Sequence, residues 1–293
     1  MAKKAGSIAL PFLFSFLIGL LLIGGAVIYI YKAYIETKPD DLKVITPSNT
    51  ESASYADSHT VLFSLDIPEQ KSVTFVVMRA VPRDKKLLLT GIPTNTITLI
   101  NGSQTSLLES YQNGGMNAAV NFIEEVMGIS IDRYMKFNSD AFQKLSDILG
   151  GVSYTVTVKI PGFKDTDREQ YLNGKQTIQL LTYPAFSGGE VERASMAASV
   201  MSAMINQSDG DRLNNSIDRN FNEIINLVTE TNITAVDFKD KKNGIKFMLK
   251  YGKTISHFSM INGTASGGSF IINESYSQTI KDSYFAPHNE ESK

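Results

Sequence analysis

The 293-residue chain has no cysteine, which excludes disulfides, thiolate zinc sites and cysteine nucleophiles together. It also has no tryptophan and only three histidines, His59, His257 and His288, too far apart in sequence to suggest a multi-histidine metal centre. Excess charge of either sign is missing as well: 28 Lys and Arg stand against 30 Asp and Glu, a formal net charge of −2. A nucleic-acid binder normally carries a basic domain or stripe, so that class is excluded. Gly-x-Ser-x-Gly, His-Glu-x-x-His and a phosphate-cradling glycine loop are likewise missing. At 42% hydrophobic and 20% charged, the chain is neither disordered nor a polytopic membrane protein.

What is present is unevenly spread. From Ala5 to Tyr31 no residue is charged, and the run includes Phe12-Leu13-Phe14 and Leu20-Leu21-Leu22-Ile23. About 20 apolar residues span a bilayer core, whereas a cleaved signal has a shorter apolar region ending at small residues. Gly24-Gly25-Ala26 imitates such an end, but Val27–Tyr31 carries the apolar run past it. The segment therefore reads as an uncleaved signal-anchor over residues 8–31, with Tyr29, Tyr31 and Tyr34 at headgroup level. Lys3 and Lys4 precede it, while Lys32 and Lys38 follow among Glu36, Asp40 and Asp41. That bias places a tail of residues 1–7 in the cytoplasm and the bulk of the chain outside the cell membrane.

Residues 32–58 lack periodicity and read as a stalk linker. Thr60–Leu65, Val73–Val81 and Lys86–Ile92 are short runs rich in Val, Leu, Phe and Thr, and read as strands. Pro82-Arg83-Asp84-Lys85 turns between two of them, with Arg79 and Arg83 expected in solvent. Ala118, Ala119, Phe122, Ile123 and Val126 fall at helical spacing after a break at Gly114-Gly115, and Gly128 sits where a C-cap would be. Asn138 or Ser139 can start a helix that Gly150-Gly151 ends, and Val152–Ile160 alternates as a strand. Glu190–Ile205 and Ile217–Val228 carry further helical stripes, and Val236–Phe285 reads as strand-like. The spacing predicts one α/β or α+β domain over 59–285, with a tail of 286–293.

Four segments, in order, resemble the LytR-CpsA-Psr (LCP) family of bacterial envelope proteins. They are Leu108-Glu-Ser-Tyr111-Gln-Asn-Gly114-Gly115; Met127-Gly128-Ile129-Ser130-Ile131-Asp132-Arg133-Tyr134; Phe142 through Asp147-Ile148-Leu149-Gly150-Gly151-Val152; and Leu172-Asn173-Gly174-Lys175-Gln176. The resemblance implies a single α/β/α sandwich with a central mixed sheet, following one transmembrane helix. It also implies binding of polyprenyl-pyrophosphate lipids and transfer of their glycopolymer to peptidoglycan, with Mg²⁺ on a pair of Asp and several Arg on the pyrophosphate.

The charged part of that machinery is mostly replaced here. The family's Arg-Asp after a proline falls on Thr94-Asn95, and its second metal Asp falls on Ser72. An Arg pair falls on Thr182 and Pro184, and a later Asp-x-x-Arg survives in part as Glu190-x-x-Arg193. Asp66 aligns with the first metal Asp, though an Asp at a strand end is more often a turn residue than a ligand. Arg193 could hold phosphate, or could simply pair with Glu190 one helical turn away. A neutral Thr cannot reproduce the charged fork of Arg on a diphosphate. The expectation is thus a non-catalytic LCP-like protein with a remnant pocket of Asp66, Thr94, Asn95, Glu190 and Arg193. No cofactor is expected, Mg²⁺ only weakly. Its partners would be the membrane, a polyprenyl-phosphate lipid or cell-wall glycopolymer, and paralogous LCP proteins or ligases it could scaffold. An active but divergent phosphotransferase and an unrelated tethered interaction domain stand as alternatives.

Overall fold

The apolar runs after Thr60 become the inner strands of a layered α/β arrangement in the computed structural model of the protein. The structure describes residues 52–286 apart from 71, 101, 165, 208, 209 and 253. The expected anchor, the cytoplasmic tail and most of the stalk lie outside the described residues. Among those described, no helix is long and apolar enough to cross a membrane.

In chain order the elements are β1 (His59–Ile67), β2 (Ser72–Val81), β3 (Lys86–Ile92), β4 (Ile97–Ile100), β5 (Ser103–Ser106), α1 (Leu107–Met127), β6 (Arg133–Asn138), α2 (Ser139–Leu149), β7 (Val152–Val156) and β8 (Arg168–Leu172). There follow α3 (Gly174–Leu181), α4 (Gly189–Asn206), α5 (Gly210–Leu227), β9 (Glu230–Thr231), α6 (Ala235–Tyr251), β10 (Ser256–Ser259), β11 (Gly263–Ser266), β12 (Ser269–Ile272) and α7 (Glu274–Ile280). Among the described residues six strands form the central mixed sheet, in the order β10-β3-β2-β1-β6-β9. β1, β2 and β3 are antiparallel neighbours, while β1 with β6 and β3 with β10 run parallel and therefore need crossovers through helices.

Strand alternation divides the core in two. Leu62, Phe75, Val77 and Leu88 face α1 and bury against Met116, Phe122 and Ile123. Phe63, Leu65, Val76 and Leu89 face the other way, onto Phe142 of α2 and Ala197, Ala198 and Met201 of α4. Phe63 stacks on Phe137 at 5.1 Å and meets Phe142 edge-on at 5.5 Å. Because both faces are covered, β1 and β2 read as nearly unbroken apolar runs. The expected sandwich with a central mixed sheet is what the domain adopts. On β3, Gly91 lets α4 approach so closely that a Cβ there would collide with the Ala194 carbonyl.

Local signals in the sequence act where expected at several points. The break inside α1 is a kink at Gly115 (φ 65°, ψ −153°), and Gly128 caps the helix at φ 61°. Asn138 Oδ1 accepts the Ala141 N–H at 2.8 Å to start α2.

Three expectations fail. The stretch after Val236 is not mainly strand: α6 fills its first part. Thr234 and Asp237 cap α6 reciprocally, each side chain accepting the other's backbone N–H at 3.2 and 2.8 Å. Val152–Ile160 is strand only to Val156, paired with β8 in a hairpin outside the central sheet. Arg79 is not solvated. Its guanidinium donates to the Tyr284 carbonyl at 3.1 Å and to Thr60 Oγ1 at 3.2 Å, and lies 4.4 Å from the Phe285 ring centre.

Candidate functional site

Pro93 ends the β3 ladder because it has no N–H to offer. The chain then turns through Thr94-Asn95-Thr96, where Thr96 N–H returns to the Pro93 carbonyl at 3.0 Å. The first amides of α1 close onto this turn, Leu107 N–H to the Thr96 carbonyl at 2.8 Å and Leu108 N–H to the Thr94 carbonyl at 2.9 Å. Across from it, α4 presents Glu190 and Arg193 from its first turns.

Between them lies a cavity of about 400 Å³, walled by Thr94, Leu108, Glu190, Arg193, Pro184 and the Gln70, Ser72 and Val73 entry to β2. A second cavity of about 440 Å³ shares Thr94, Leu108 and Glu190 with the first and adds Asn95, Ser106 and Glu109. Thr94, Asn95, Glu190 and Arg193 therefore converge, as do Ser72 and Pro184, which the resemblance had put at metal and phosphate positions.

Most polar groups in this cavity are spent on one another. Thr94 Oγ1 donates to Glu190 Oε2 at 2.7 Å, and Arg193 Nε donates to Glu190 Oε1 at 3.1 Å. The i,i+3 pairing of Glu190 with Arg193 thus exists, and it points into the cavity rather than to solvent. Asn95 Nδ2 donates to the Gly268 carbonyl at 2.7 Å, and Gln70 Nε2 to the Thr182 carbonyl at 3.0 Å. Arg193 Nη1 is buried with no protein acceptor, which leaves one charged donor for an anion.

Asp66 stands apart, lining neither cavity. It lies at the end of β1 on the α1 face, its carboxylate 3.1 Å from Lys136 Nζ, with Tyr111 O–H donating to it at 3.4 Å. Burial raises the pKa of Tyr111. Burial pulls Lys136 down, but its hydrogen bonds to Tyr111 and Asp66, with their charges, outweigh this and raise it. Lys136 carries no local signal in the sequence. It sits in a strand of alternating character and meets Asp66 only through the fold.

The Mg²⁺ implied by the resemblance does not fit these residues. β1–β2 register places Val73 beside Asp66 on the same face and turns Ser72 away with Ile67. Both Glu190 oxygens are engaged, and among the described residues no group of three or more His, Asp or Glu could hold a metal. A hard cation needs several oxygen ligands, and Asp66 offers one carboxylate that an ammonium already faces.

A further cavity of about 360 Å³ opens at the amino-terminal end of β1. Val61, Met135, Ile224, Ile225, Val228 and Phe238 make its walls apolar. Arg133 and Asp237 on its rim form a two-point ion pair, Nη2–Oδ1 2.6 Å and Nε–Oδ2 2.8 Å. Arg133 and then Thr234 hold the Asp237 carboxyl well below the usual carboxylate range. His59, also in the lining, is pushed down by burial.

A family model for the LytR_cpsA_psr family matches residues 53–291, nearly the whole of the described fold. The chain belongs to the LytR_cpsA_psr family. Among its curated relatives is the polyisoprenyl-teichoic acid–peptidoglycan teichoic acid transferase TagU of Bacillus licheniformis, 26% identical over 200 residues, 67% of this chain and 64% of that one. The chain spans less than two thirds of the length of the first curated relatives it matches. A crystal structure from Eubacterium siraeum, described as a transcription regulator, superposes with a TM-score of 0.70 at 20% identity, covering 83% of this chain and 98% of that one. TagT bound to LI-WTA superposes with a TM-score of 0.57 at 18% identity, covering 77% and 88%. These superpositions establish the fold. With membership in the LCP family, the reading as an unrelated tethered domain falls away.

Proposed function

We propose that this LCP protein sits on the outer side of a bacterial cytoplasmic membrane and binds a polyprenyl-phosphate-linked cell-wall glycopolymer without transferring it. The relatives named above supply the ligand class: one is called a teichoic acid transferase, and another is bound to LI-WTA. The observation that carries the non-catalytic reading is the hydrogen-bonded chain from Thr94 through Glu190 to Arg193, which engages both Glu190 oxygens and part of the guanidinium. Transferring a phosphoryl group requires preorganised positive charge around the developing oxyanions, from metal or guanidinium groups. This cavity offers one partly committed guanidinium, enough to hold an anion and far short of such a clamp. The uncharged run Ala5–Tyr31 supplies the anchor, and the lysines before it orient the chain.

The test is a reconstituted reaction of full-length protein in detergent with a polyprenyl-pyrophosphate-linked glycopolymer and peptidoglycan, run beside TagU. Binding without polymer transfer is expected; transfer at a rate near that of TagU would overturn the reading. Because the chain has no cysteine, Ser266→Cys, on an exposed strand, gives a single label for topology. Intact cells should react with a membrane-impermeant maleimide, and reaction after lysis alone would place the domain inside.

A further inference from the structure

The sharpest departure from the resemblance lies beside the cavity, at Asp66. On the α1 face of the sheet its neighbours in register are Val73 on β2 and Asn138 on β6. Val73 offers no oxygen, and Asn138 Oδ1 is committed to the Ala141 N–H. Ser64, one pleat earlier on the same face, donates its hydroxyl to Met116 Sδ at 3.2 Å. Lys136, in register with Ser64, reaches Asp66 Oδ2 at 3.1 Å. Tyr111 closes the arrangement from α1: its hydroxyl donates to the same oxygen, its ring centre lies 5.3 Å from the ammonium, and the ring packs edge-on against Phe75. The two charged side chains are 22% and 25% exposed, so water screens the pair incompletely.

We propose that the Lys136 ammonium is a built-in substitute for a divalent cation at Asp66, making this site indifferent to Mg²⁺. Three properties make the substitution coherent. The ammonium lies on the face where a metal held by Asp66 would lie. It is tied to the chain and cannot be lost to a chelator. The oxygens that would have to complete a six-ligand shell are absent or already bonded. A Mg²⁺ ion would have to displace Lys136 from a partly buried pair while finding one protein carboxylate, which disfavours it against its own hydration shell. The consequence for a bound anion rests on reading the neighbouring cavity as the ligand site: its affinity would be set by Lys136 and Arg193, without a metal bridge.

The experiment separates the two layers. Full-length protein without ligand is titrated with Mn²⁺, followed by electron paramagnetic resonance, and with Mg²⁺ by calorimetry at neutral pH. No saturable binding is expected below about 1 mM, a range typical of weak oxygen-ligand sites. Saturable binding in that range that Asp66→Asn abolishes would overturn the inference. The variant Val73→Asp with Lys136→Met, which restores a second carboxylate and removes the ammonium, is expected to gain Mn²⁺ binding at least tenfold. A folded double variant with no gain would show that this is not a cation position. Farnesyl pyrophosphate binding should then differ less than twofold between EDTA and excess Mg²⁺, and a tenfold dependence on Mg²⁺ would also overturn it. Complete failure to bind that probe counts against the proposed function and leaves the ligand-free titration to decide the role of Lys136.

Discussion

The cavity between Thr94 and Arg193 and the cavity at the start of β1 are of similar size, yet they dispose of their charges in opposite ways. In the first, Glu190 and Arg193 lie inside and pair with each other, Glu190 fully engaged and Arg193 keeping one buried donor free. In the second, Arg133 and Asp237 stay on the rim, and the interior is aliphatic and aromatic. The internal pair therefore fixes the chemistry of its cavity. The rim pair fixes a seam, tying β6 to the first turn of α6. Similar volumes thus have dissimilar vulnerabilities, one to changes in packing and donors, the other to acid.

The largest break in this comparison should come from Gly91→Ala. Its Cβ would strike the Ala194 carbonyl, so α4 must shift, at a cost of about 3 kcal/mol for overpacking against backbone. Urea unfolding followed by circular dichroism should show the lower midpoint, with pyrophosphate binding lost before apolar-probe uptake at the other cavity. Thr94→Val comes next. It strips Glu190 Oε2 of its hydroxyl donor and should cost about 1.5 kcal/mol, the range for a hydrogen bond to a charged group. An unchanged midpoint would mean that water replaces the hydroxyl at no cost.

At the other cavity, Asp237→Ala removes the carboxylate that accepts the Thr234 N–H and hydroxyl, together with its ion pair, while the Thr234 hydroxyl still accepts the N–H of position 237. About 1 kcal/mol is expected from the lost half of the capping box alone. The Asp237 carboxyl titrates lower in the folded chain than in the unfolded one. Its contribution is therefore complete above the unfolded value near 4 and is lost as pH falls below it. The gap between wild type and Asp237→Asn should accordingly be constant at neutral pH and close in strong acid. The smallest effect belongs to His59, whose folded pKa also lies below its unfolded value. Stability from the neutral ring is present above about pH 6.5 and declines below it, so His59→Gln should flatten the first part of the acid limb. An unchanged acid limb would remove His59 from the account.

Much of this was legible before the fold. The β1–β3 runs, the Asn138 cap and the Gly128 stop are local signals, and ordered motif matches singled out Thr94, Asn95, Glu190 and Arg193, which line two adjoining cavities that share Thr94 and Glu190. What escaped has physical causes. The inner face of α6 reads poorly because Lys239-Asp-Lys-Lys-Asn-Gly244 interrupts its stripe. Gly244, a residue that reads as a helix breaker, is there because a Cβ would crowd Asp57 and Pro82. The Thr234–Asp237 capping box was the available clue. Lys136 could not be found at all, since its partner lies 70 positions away and β6 shows no charge pattern. The face of Ser72, the residue matched to a second metal Asp, was hidden for a related reason. Only register shows that Val73, not Ser72, shares a face with Asp66.

The close seat of α4 on Gly91 has a mechanical consequence. With α4 lying against β3, and the turn after β3 bonded to the start of α1, the surrounding pieces of the polar cavity are joined into one stiff frame. Such a cavity behaves as a socket, not as a clasp. A ligand would find its shape already present and gain little from closure, so amide exchange along α4 should be nearly the same with and without it.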